Sequence, residues 1–195
     1  MLKIYIFGIF IVLSCSVLGQ EWTPSQLEKA NTAKDVVLLT EMEKEVIMYL
    51  NLCRLYPQDF LAIEVSNYFG PTGYGDYLRS STYRSSLIRT LQTMNPTTTL
   101  HFDEEVYYSA QCFAIEHGKK GRVGHDRIRC EENFSGECCS YGMSNARDVV
   151  LQLLVDHNVP SLGHRFICLS SGYSEIGVSI KPHLKYGLCA VLDFD

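Results

Sequence analysis

Positive charge is scarce in this sequence. Its 195 residues carry 17 Lys and Arg against 22 Asp and Glu, a formal charge of −5. A surface that tracks phosphates needs a basic excess, so a nucleic-acid partner is excluded. A membrane-length apolar run is also missing, because Ile4 to Leu13 falls well short of the ~20 residues that cross a bilayer. There is no CxxC pair, which argues against a zinc ribbon. There is no GxSxG, HExxH or P-loop, so no familiar motif supplies a nucleophile, a metalloprotease helix or a phosphate cradle. Internal repeats and low-complexity tracts are absent. With 46% hydrophobic and 20% charged residues, the chain has the balance of one soluble globular domain.

The first nineteen residues stand apart. Lys3 gives one positive charge, Ile4 to Leu13 is almost wholly apolar, and Ser14 to Gly19 is small or apolar. This pattern reads as a signal peptide over 1–19, cleaved before Gln20. The expected location is secreted, extracellular. The alternative takes Val12-Leu13-Ser14-Cys15 as a lipobox, with a lipid on Cys15 anchoring the protein at the cell envelope. Only then would a membrane be a partner.

Eight cysteines are present, and seven remain if Cys15 is removed. Export permits disulfides, but their connectivity is not legible from spacing, and an odd number leaves at least one thiol free, lipidated or paired between chains. Cys53 and Cys112 are read as small buried apolar residues.

Residues 20–40 read as an N-terminal lead-in. Thr40 and Glu43 form a capping box that opens a helix, with Val46, Leu50 and Cys53 at helical spacing. Pro57 ends it and opens another through Phe60 and Ile63. Residues 66–82, rich in Gly, Tyr and Ser, predict a long loop, and 83–94 a short helix. Asp103 caps a helix whose apolar face is Val106, Ala110, Phe113 and Ala114, continued by His117. Residues 118–142 predict a long irregular segment. Ser144 or Asn145 caps the next helix, which brings Asp156 near its inward face. The chain ends in alternation: Ile176, Val178 and Ile180, a turn at Lys181-Pro182, then Tyr186 to Phe194. That predicts a two-stranded hairpin. Early helices and late strands imply an α+β domain.

Four features carry potential chemistry: Gly124-His125-Asp126, Gly136-Glu137, Asp156, and Gly163-His164-Arg165. Imidazole and carboxylate together suit zinc and similar divalent ions. The same set suits general acid–base work, since histidine titrates near neutrality. His117 is read as a core histidine, Asp126 and Arg127 as a surface ion pair, and Arg165 as half of a structural ion pair, with anion binding as its alternative. The Tyr-rich stretches are read as packing. Asn133-Phe134-Ser135 is a glycosylation sequon.

In their order and spacing, Gly124-His125, Gly136-Glu137, Asp156, Gly163-His164-Arg165, Ile176-Gly177-Val178 and the final Asp193-Phe194 resemble the CAP superfamily (SCP domain). That family includes cysteine-rich secretory, antigen-five and pathogenesis-related proteins, and the likeness is closest to its microbial-type branch. Glu45 to Asn51, Arg54 and Pro57 look like the family's opening helix, and Leu100 to Glu116 like its second. The resemblance covers residues 41–195. It implies a three-layer α-β-α sandwich around a small antiparallel sheet, and a cavity holding His125, Glu137, Asp156 and His164, with His117 as the alternative first histidine. His125 and His164 are the implied metal ligands, and His125, Glu137 and His164 the implied catalytic set if there is catalysis. Where the family has Gly-Glu-Asn, this chain has Gly136-Glu137-Cys138-Cys139, and a disulfide to Cys130 is the implied substitute for the Asn. The implied function is non-enzymatic extracellular binding of a lipid or sterol, a divalent cation (zinc foremost) or a protein partner. A hydrolase using water activated by the His/Glu set, and an interaction module anchored through Cys15, are the alternatives.

Overall fold

A computed structural model describes residues 20–195; the expected signal peptide and Cys15 lie outside the described residues. The elements run α1 Pro24–Ala30, α2 Glu41–Leu55, α3 Pro57–Phe60 passing into a wide helical turn at Leu61–Val65, α4 Thr82–Thr93, β1 His101–Phe102, α5 Glu104–Lys120, β2 Gly136–Tyr141, α6 Ala146–Val155, α7 Gly163–Leu169, β3 Glu175–His183 and β4 Gly187–Phe194. The fold is α+β.

The lead-in is not featureless. Thr23 caps α1 with the same reciprocal box that Thr40 and Glu43 make at α2, and Pro24 occupies its first turn. Ala30 and Ala33 are fully buried, and the Trp22 indole N–H donates to Glu64 Oε1 at 2.7 Å. Residues 20–39 therefore pack onto the core through a few side chains. Inside α2, two buried polar side chains tie down distant backbone. Asn51 accepts from the Leu100 N–H at 2.7 Å and donates to the Ala30 and Leu100 carbonyls. The Arg54 guanidinium donates to the carbonyls of Thr98, Cys168, Ser170 and Tyr173. Buried donors are stable only when satisfied in this way.

The sheet has four strands in the order β1-β3-β4-β2, with β1 parallel to β3 and the other pairs antiparallel. Two of these strands extend beyond the expected hairpin: β2 lies within the segment read as irregular, and β1 is only a parallel dipeptide. The hairpin turn falls at 184–186 rather than Lys181-Pro182, because Pro182 continues β3 opposite Leu188. Side-chain alternation divides the sheet between two clusters. Cys138, Ile176, Val178, Ala190, Leu192 and Phe194 join residues of α2, α6 and α7. Cys139, Cys189 and Val191 pack on Ala110, Phe113 and Ala114 of α5. The α5 backbone comes so close to β3 that a Cβ on Gly177 would stand 2.2 Å from the Tyr107 nitrogen.

Cys112 and Cys130 form a disulfide that ties α5 to the following loop. This corrects two expectations: Cys112 is not a free apolar residue, and Cys130 is not the partner of Cys138 or Cys139. Cys53 is a free buried thiol, as expected.

Candidate functional site

His125 follows Gly124, which adopts a left-handed φ of 100°. Tyr141 secures this turn, its hydroxyl accepting from the Gly124 N–H at 3.2 Å. Glu137 is the second residue of β2, paired in register with Asp193 of β4. The His125 Nδ1 and Glu137 Oε1 lie 2.7 Å apart. Asp156 ends α6 in a left-handed conformation with φ 54°. That turn aims its carboxylate at the start of α7, where Oδ2 accepts from the His164 N–H at 3.0 Å and Oδ1 meets His164 Nδ1 at 2.7 Å. Two His–carboxylate pairs result, with ring centroids 6.0 Å apart. The structure thus brings together His125, Glu137, Asp156 and His164.

Both acids are buried, whereas the His125 side chain is 53% exposed and that of His164 22%. The Glu137 hydrogen bond raises the His125 pKa above its ordinary value, against an opposing effect of burial. Each ring meets its carboxylate through Nδ1, an arrangement that fixes ring orientation and leaves Nε2 as the nitrogen available to a ligand.

A third donor adjoins the first pair. Residues 137 and 139 share a face of β2, so Cys139 stands beside Glu137, with Sγ 3.9 Å from His125 Nδ1. Ligand atoms of His125, Glu137 and Cys139 lie within 4.8 Å of one another, a grouping that fits a metal ion. Burial pushes the Cys139 thiol well above its usual pKa. A cavity of 230 Å³ continues past His164, walled by Tyr68, Tyr77, Cys139, Tyr141, Asp156 and His157 among others. Tyr68 and Tyr141 pack against the two clusters, as expected, and with Tyr77 they also line this cavity.

His117 is not part of this group. It is buried, its ring centroid 3.9 Å from that of Phe113, and its Nε2 faces the Asp126 carbonyl at 3.3 Å. Burial pulls its pKa down.

The expected surface pair of Asp126 and Arg127 is not formed. Arg127 turns inward, its side chain only 3% exposed, and its Nη2 bonds both Glu137 Oε2 and Asp193 Oδ2. Its guanidinium lies 4.4 Å from the ring centroids of both Phe113 and Phe134. The reason is electrostatic: two buried carboxylates directly opposite on neighbouring strands require a cation between them. Arg165 is also corrected. Among the described residues it makes no ion pair. It donates to the carbonyls of Leu154, Val155 and Tyr83 and to the Ser86 hydroxyl, fastening α7 to α6 and α4. Arg127 and His157 are the site-forming residues that sequence reasoning missed, whereas Cys139, expected in a disulfide, is a free thiol at the site. A basic residue two positions after His125 was the available signal for the first.

Among the described residues, no helix is long and apolar enough to cross a membrane. No protein-family model and no curated protein matches the chain. Among solved structures it is similar to an outer surface protein from Borrelia burgdorferi. That structure is 19% identical, with a TM-score of 0.40 over 57% of this chain and 86% of that one. A likeness this low carries no argument about fold or function.

Proposed function

We propose that this chain is a secreted CAP-type domain with the family's α-β-α sandwich. In this reading it acts by binding, and its central His/acid cavity takes a divalent cation. The observation that carries the proposal is the pair of facing histidines, each oriented by a buried carboxylate through Nδ1. His125 and His164 would hold the ion, and Glu137 and Asp156 would fix the ligand rings. Imidazole donors fit zinc better than calcium or magnesium, which prefer all-oxygen shells. A bound zinc would supply Lewis acidity and a fixed positive charge. The Tyr-walled cavity beside His164 suits the apolar body and polar end of a small lipid-like ligand.

Isothermal calorimetry with zinc tests the metal part. The wild type is expected to bind, and the His125→Ala/His164→Ala variant to bind at least about tenfold more weakly. Equal heats from the two proteins would sink the metal reading.

A further inference from the structure

Strand β2 presents its cysteines to opposite faces. Cys139 faces His125, whereas Cys138 points the other way, against α7. There its Sγ lies 3.9 Å from the Sγ of Cys168 and 3.6 Å from the carbonyl oxygen of His164. Both thiols are fully buried. A disulfide needs a sulfur separation of ~2.05 Å, so modest side-chain rotations close the gap. We propose that Cys138 and Cys168 form a second disulfide, joining the strand that carries Glu137 to the helix that opens with His164.

Thiol–disulfide exchange supplies the chemistry, with a low-molecular-weight disulfide such as oxidised glutathione as the oxidant. The thiolate of one cysteine attacks the glutathione disulfide, giving a mixed disulfide and one glutathione thiolate. The second protein thiolate attacks the protein sulfur of that mixed disulfide and releases the second glutathione. Two protein thiols are oxidised, two glutathione thiols are produced, and the two protons pass to them. Because both sulfurs are enclosed in the folded chain, the exchange belongs to folding, before α7 docks on β2. The bond joins positions 30 residues apart and lies in the main core, on the face of β2 opposite His125. It therefore ties the strand of one His–acid pair to the helix of the other from beneath the site.

The test is to refold the reduced chain, from residue 20 onward, in a reduced/oxidised glutathione mixture. The product is then denatured without reductant, alkylated and digested with trypsin. Cleavage after Arg129 and Arg147 leaves Cys130 and Cys138 on one peptide, while Cys168 lies on the peptide starting at Phe166. The expected product is a three-peptide species joined through Cys112–Cys130 and Cys138–Cys168, with Cys53, Cys139 and Cys189 alkylated. In Cys168→Ser the peptide starting at Phe166 leaves that species and Cys138 is alkylated. Alkylation of both Cys138 and Cys168 in the wild type would overturn the proposal, as would either one bonded to a different cysteine.

Discussion

Asp193 is fully buried, and its Oδ1 has no hydrogen-bond partner among the described residues. It shares the Arg127 guanidinium with Glu137. Burial outweighs that divided cation and raises the carboxyl from 3.8 to about 7. The folded chain then keeps a proton that the unfolded chain releases above pH 3.8. The stability this contributes is present in full below that pH and is lost as pH rises through about 7. Asp193→Asn removes the titration while keeping an oxygen for Ser109 and Arg127. Denaturant unfolding between pH 4 and 7 should show the wild type losing stability relative to Asp193→Asn. The slope of the difference is limited to about 1.4 kcal/mol per pH unit, that of one proton. Parallel curves would mean that Asp193 stays ionised. At this scale the two histidines and two acids were legible through their order and spacing along the chain, since each local context alone also reads as a turn or a cap. Arg127 was not, because its partners lie 10 and 66 residues away and only the folded sheet brings them to it.

Helix starts followed directly from capping chemistry. Thr40, Asp103 and Asn145 each accept from the backbone N–H of the third residue of their helices. Glu43 shows how a local signal acquires a tertiary role, since its capping carboxylate also accepts from the Ile180 N–H at 2.7 Å. The missed elements have physical reasons. Strand β2 is buried on both faces, so Gly136 to Tyr141 shows no polar alternation. Strand β1 has two residues, too few for any period to register. The packing of α5 on β3 depends on Gly177, whose hydrogen faces backbone rather than a yielding side chain. Gly177→Ala should force the two elements apart and cost about 3 kcal/mol. Gly163→Ala meets only an ordinary 3.5 Å contact with Ser161 Oγ and should change stability by less than about 0.5 kcal/mol. Comparable unfolding midpoints for the two variants would show that the close approach is dispensable.

Across the whole molecule, early helices and late strands fixed the α+β class, but the strand order β1-β3-β4-β2 depends on pairings between distant segments. The standing of the lead-in was likewise invisible. Ala30, Ala33 and Leu39 are buried, Trp22, Leu27 and Val36 pack on the main cluster, and Asn51 needs the Ala30 carbonyl. A chain starting at Glu41 gives up apolar burial worth about 5 kcal/mol or more, comparable to the total stability of an ordinary domain. Thermal circular dichroism should show that it has no cooperative transition near that of the full chain. An unchanged melt would make residues 20–40 an appendage.

Among the described residues, strand β2 lies at the sheet's edge and is paired only with β4. Three successive residues, Glu137, Cys138 and Cys139, must each face the correct side, and a slip of one position would turn Cys138 toward His125 and Glu137 into the apolar layer. Arg127 forbids that slip, because its two carboxyl contacts are met only when Glu137 stands opposite Asp193. The guanidinium thus works as a reading-frame key: it locks the register in which this edge strand can present an acid to the histidine.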